Sequence, residues 1–177
     1  TAGLAASGAV AGLCPVTEAN LGDGPFNGPA WLSAGGQFGI GSDSNVRISL
    51  TEELRTLEYS QRQRDLSRNV MTCGDGSVGQ AIYLAAARGG AQALGRKSGM
   101  IAEGCLADLV AVDPSHPSLC ALQPHQLLDG LAFAAPDGVV TDVWSAGRHM
   151  VRRGHHVAHD RIVGAWRRVV RDLVGTL

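Results

Sequence analysis

The chain has 177 residues, 45% of them hydrophobic and only 18% charged, a composition able to bury a core and unlike that of a disordered segment. A formal net charge of -1 and an isoelectric point near 6.5 leave no electrostatic footprint for nucleic acid or an anionic membrane surface. No apolar run approaches the roughly 20 residues of a membrane span, and the opening TAGLA lacks the basic region of a secretory signal, so no membrane partner and a cytoplasmic setting are expected.

In chain order, residues 4–8 (LAASG) suit the end of a helix, and residues 9–15 (AVAGLCP) read as a buried strand. That strand is expected to run into a polar, glycine-bearing loop over residues 16–24. Residues 29–36 form a short helix stopped by Gly35 and Gly36. A second strand follows over 37–45 (QFGIGSDSN), an apolar run that ends on Asp43 among small polar residues. Parallel α/β folds collect their chemistry at the carboxyl ends of strands, which makes Asp43 the first catalytic candidate. Read from the residues alone, Asp43 equally suits a helix cap or a turn.

Ser49 with Glu52 and Glu53 marks a helix start, and Leu50, Leu54 and Leu57 recur at helical spacing, suited either to a barrel or to a second subunit in a homodimer. Arg62, Arg64 and Arg68 read as a solvated helix end or as an anion contact at a subunit interface. Residues 77–95 give a small-residue helix expected to break at Gly89 and Gly90 and to lie outside the barrel. From Ser98 the texture turns β-rich, with a turn followed by a β-rich run over residues 99–113 and a hairpin-like pattern over 139–151 around Ala146 and Gly147. Residues 160–174 form an amphipathic helix with Ile162, Val163, Trp166, Val169, Val170 and Leu173 on one stripe, expected to be packed.

Cys14, Cys73, Cys105 and Cys120 contain no Cys-x-x-Cys pair and are expected to be reduced structural thiols. The run His155, His156, His159 follows a strand-like segment, so two ligands on one helical turn are not expected there. His116, His125 and His149 read as surface or packing residues.

Residues 13–24 (LCPVTEANLGDG), followed by 38–46 (FGIGSDSNV), resemble the last two barrel strands of the amidohydrolase superfamily, most closely its branch that deiminates N-formimino-L-glutamate. The pattern Gly-x-Ile-x-x-Gly-x-x-Ala-Asp-Leu-Val over residues 99–110 is similar to that superfamily's return to a β-sandwich. The resemblance implies an α/β fold: the last strands and helices of a (β/α)8 TIM barrel over residues 1–97, the carboxyl-terminal part of a small β-sandwich domain over 98–158, and a terminal helix over 159–177. A complete barrel takes about 250 residues, and the chain opens on Thr1, so it is expected to be the carboxyl-terminal part of a longer enzyme whose amino-terminal segment is its partner.

The implied chemistry is hydrolysis of a small-molecule amidine with one divalent metal, usually Zn2+. Asp43 is then a metal ligand and a proton carrier, and Glu18, Asn20, Ser44 and Asn45 shape the substrate pocket. The family's histidine ligands and proton-shuttling glutamate have no counterpart in this sequence, so the chain alone is expected to be inactive. A purine or S-adenosylhomocysteine deaminase, or a non-catalytic structural fragment, are the alternatives.

Overall fold

The computed structural model describes residues 2–44, 47–72 and 76–176. Helix α1 (Ala2–Ala6) leads into strand β1 (Val10–Leu13), which runs parallel to β2 (Gln37–Ile40) in unbroken register, from Val10 opposite Gln37 to Leu13 opposite Ile40. Aligned pairing makes the two strands end level. The Gly41 N–H then extends the ladder by donating to the Leu13 carbonyl at 3.0 Å, so the chain leaves both strands side by side.

The segment expected as a loop after β1 is instead helix α2 (Pro15–Leu21). Pro15 sits at the start, where a missing N–H costs nothing, and Glu18 Oε1 accepts the Cys14 N–H at 2.8 Å. Gly22 closes the helix in the left-handed region at φ 74°. Taken one by one, Thr17, Glu18 and Asn20 look loop-like; the bracketing Pro15 and Gly22 are the helix signal. The short helix α3 (Gly28–Ser33) then returns the chain to β2 and ends before Gly35, as expected.

Helix α4 (Leu50–Asp65) is capped by Ser49, whose hydroxyl accepts the Glu52 N–H at 3.2 Å. Leu54 and Leu57 are buried in the core of this chain, whereas Leu50 is half exposed. At the end of α4 the solvated reading fails for Arg62: its Nε lies 2.6 Å from the fully buried Glu58, and its guanidinium rests over the rings of Tyr59 and Phe133. Helix α5 (Val78–Ala93), capped by Ser77, runs unbroken through Gly89 and Gly90. The glycines serve packing, since a Cβ at Gly89 would lie 1.9 Å from the Phe38 carbonyl oxygen. The absent side chain of Gly89 lets α5 lie directly on β2. Leu13, Phe38, Leu54, Leu57, Met71, Val78 and Ile82 form the core between the strand pair and the helices, and burial of such side chains is worth about 1.5–3 kcal/mol each.

The second half is a four-stranded antiparallel sheet in the order β3 (Leu109–Val112), β4 (Val140–Ser145), β5 (Arg148–Arg152), β6 (His155–His156). The expected β4–β5 turn is formed by Ala146 and Gly147, both at positive φ (48° and 78°), as a tight turn matched to strand twist requires. Between β3 and β4 lies helix α6 (Leu127–Phe133), which packs on α4 and α5 and which no strong periodicity announces. Helix α7 (His159–Val174) forms where expected, but its stripe is not packed: Trp166 is 64% exposed, and Ile162, Val169 and Leu173 are exposed with it. Val163 and Val170 of the same stripe are half-buried. No helix among them is long and apolar enough to cross a membrane.

Candidate functional site

The level strand ends place two segments against each other. From β1 come Cys14 and the first turn of α2; from β2 come Gly41, Ser42 and Asp43. Thr17, buried at 6% exposure, donates its hydroxyl to the Ser42 carbonyl at 3.0 Å. Beneath α2, Glu53 of α4 is buried at 1% exposure and accepts the Val16 N–H through Oε2 at 2.8 Å. Its Oε1 is buried with no hydrogen-bond partner. Burial pushes the Glu53 carboxyl above its ordinary value, the Val16 N–H opposes this, and the charges of Glu18 and Glu52 add to the rise.

Asp43 stands at the exposed tip with a left-handed backbone, φ 49°, a conformation rare for residues with a side chain and tolerated best by Asn and Asp. Among the described residues no hydrogen bond or ion pair holds its carboxylate. Cys14 lies close by, and its thiol is pushed above its ordinary value by burial first, then by the negative charges of Asp43, Glu18 and Glu53, against the opposing Gly41 N–H. A rise in this direction disfavours the thiolate.

The other sequence candidates are spread around this tip. Ser44 is exposed next to Asp43, and Asn45 lies outside the described residues. Glu18 and Asn20 belong to α2 and not to a loop. Glu18 holds the Cys14 N–H and lines a cleft of about 460 Å³ with Pro15, Ala19, Thr56 and Arg64, which Asp43 does not reach. Thr17 and Glu53, which join the strand ends, escaped sequence reasoning. The one local sign of Thr17 is its place two residues after Pro15; Glu53 carries none, because its partner is 37 positions away.

Three of the histidines make contacts of their own. His149 Nε2 lies 2.6 Å from Asp142, and its ring stacks on Trp144. His155 is paired with the Arg153 carbonyl, and His156 Nδ1 accepts the Ala158 N–H. Cys14, Cys105 and Cys120 are free thiols, while Cys73 lies outside the described residues. Among the described residues no group of three or more His, Cys, Asp or Glu side chains is arranged to hold a metal ion. The Asp43 carboxylate, without a hydrogen bond or ion pair among the described residues, is an oxygen donor that could join a metal's ligand set only if other segments supplied the rest.

Parallel strands that end level, with helices packed on them, are the architecture of the α/β class. The chain is a member of the amidohydrolase family, which matches residues 2–150. It is 48% identical over 174 residues to the formimidoylglutamate deiminase of Pseudomonas aeruginosa, covering 98% of this chain and 38% of that protein. It superposes on an amidohydrolase from Brucella melitensis with a TM-score of 0.89 at 44% identity, over 98% of this chain and 38% of the other. An adenosine deaminase from Xanthomonas campestris with bound zinc is similar at TM-score 0.85 and 29% identity, over 99% and 40%. The chain thus spans well under half the length of these relatives.

Proposed function

We propose that the protein of which this chain forms part hydrolyses N-formimino-L-glutamate to N-formyl-L-glutamate and ammonia. The observation that carries the reading is the 48% identity to a formimidoylglutamate deiminase along 98% of this chain, strand ends included. In this reading β1 and β2 are the last two strands of a (β/α)8 barrel, residues 98–158 belong to a small β-sandwich, and residues 159–177 are its terminal helix. The segment that completes the barrel lies outside this chain.

A divalent ion, in this reading zinc, supplies a water whose pKa falls toward 7 and a positive charge near the formimino carbon. Asp43 is one of its ligands. As water oxygen adds to the formimino carbon, one Asp43 carboxylate oxygen takes the proton that water loses and returns it to the departing nitrogen. The hydroxyl of the adduct then gives up the second water proton to the same nitrogen by the same route, so that the carbon–nitrogen bond breaks, ammonia leaves, and the carbon becomes a formyl group. The exposure of Asp43, and the lack of any hydrogen bond or ion pair to its carboxylate among the described residues, suit this role. Ser44, Asn45, Glu18 and Asn20 shape the mouth of the pocket.

The test is ammonia release by the full-length protein, with kcat/KM compared for N-formimino-L-glutamate, adenosine and S-adenosylhomocysteine. The reading requires the first to be preferred by orders of magnitude. Preference for either purine compound assigns the protein to a deaminase branch, and release from none of the three removes the enzyme reading.

A further inference from the structure

We infer that Thr17 is a positioning residue, acting on the metal through the backbone that carries Asp43. The inference rests on the reading of Asp43 as a ligand. The Ser42 carbonyl and the Asp43 N–H belong to one planar peptide unit. Asp43's φ is measured from that plane, so the plane and the observed φ of 49° together set the direction of the Asp43 Cα–Cβ bond. The Thr17 hydroxyl holds this carbonyl at 3.0 Å from a site only 6% exposed. Thr17 is itself fixed from below, because Glu53 grips the preceding Val16 N–H at 2.8 Å and Glu18 grips the Cys14 N–H at 2.8 Å. The Gly41 N–H bond to the Leu13 carbonyl holds the same turn from the strand side.

The consequence is a preset aspartate. A φ of 49° is unfavourable for a residue with a Cβ and persists when the surroundings determine it. Asp43 makes no side-chain bond of its own among the described residues, so its aim comes from the peptide behind it. The arrangement does for a carboxylate ligand what a hydrogen-bonded outer partner does for a ligating side chain. Its specific feature is that the hold is on the main chain and comes from the neighbouring strand's helix.

The experiment uses the full-length, zinc-loaded protein and follows zinc release to a chromogenic chelator, with the thermal melt recorded for each variant. Thr17→Val keeps the volume and removes the hydroxyl, Thr17→Ser keeps the hydroxyl, and Asp43→Ala sets the scale for loss of the ligand. Thr17→Val is expected to release zinc about 10–100-fold faster with a cooperative melt retained, and Thr17→Ser to release it at the parent rate. Should the valine variant not fold, Thr17→Ala takes its place in the same comparison. Unchanged release from Thr17→Val, or equally fast release from Thr17→Ser, overturns the inference. If Asp43→Ala also leaves release unchanged, the ligand reading itself fails; fast release from Asp43→Ala beside unchanged release from Thr17→Val sinks the positioning role alone.

Discussion

The neighbouring glycines of α5 give the sharpest test of the packing. In an ordinary helix interior, glycine to alanine stabilises by up to about 1 kcal/mol, because alanine is the better helix former. Gly90 meets that condition, since nothing lies within 4 Å of an added Cβ, so Gly90→Ala is expected to gain about 0.5–1 kcal/mol. Gly89 does not. There the new Cβ would sit 1.9 Å from the Phe38 carbonyl oxygen and 2.5 Å from its carbon, both main-chain atoms of β2 that cannot rotate away. Relief requires α5 to lift off the strand, and overpacking of this kind costs about 1–3 kcal/mol or more. With backbone on the receiving side we place Gly89→Ala at the upper end, a net loss of about 2–3 kcal/mol after the helix gain. For a chain of this size that corresponds to a fall of roughly 4–12 °C in Tm. Urea melts of the two variants beside the parent decide the matter. A Gly89→Ala protein as stable as Gly90→Ala would refute the close approach of α5 to β2.

Two further predictions concern buried carboxylates. Glu58, fully buried, accepts from Arg62 Nε at 2.6 Å and from the Val70 and Met71 N–H groups at 3.0 and 2.8 Å; Glu58→Gln turns an amide donor toward these donors and is expected to cost about 3 kcal/mol in urea unfolding, a loss below about 1 kcal/mol contradicting it. Glu53 has a folded pKa raised above its ordinary 4.5, so the folded state binds that proton more tightly than the unfolded chain. Its contribution is therefore complete below about pH 4.5 and is lost as pH rises through the raised folded value. Melting curves over that range should show the parent losing stability relative to Glu53→Gln as pH increases; parallel curves would mean that burial does not perturb this carboxyl.

Local signals carried much of this fold. Ser49 precedes an apolar periodic run and caps α4 as expected, the helix expected from Ser77 forms as α5, and Ala146 with Gly147 turns the hairpin. The exposed place of Asp43 beyond β2 was legible because a strand that stops on small polar residues exposes whatever acid follows. The failures are of two kinds. At α2, single-residue polarity outweighed the bracketing Pro15 and Gly22; at Gly89, a helix-weakening residue looked like a break when its missing side chain is what the strand contact needs. The other kind is tertiary. Glu53 and Thr17 meet Val16 and Ser42 only after the strands align, and nothing near them in sequence announces those partners. The stripe on α7 was plain in the sequence, whereas its exposure depends on what the rest of the fold brings to it.

The most direct measurement is the turnover of N-formimino-L-glutamate by the full-length protein carrying Asp43→Asn, a change that keeps the side chain's shape and removes its capacity to take a proton. The account predicts a fall in kcat of about 10²–10⁴-fold, the usual worth of a positioned acid–base group, with the thermal melt unchanged. Turnover within a few-fold of the parent would contradict it and return Asp43 to the role of a turn residue.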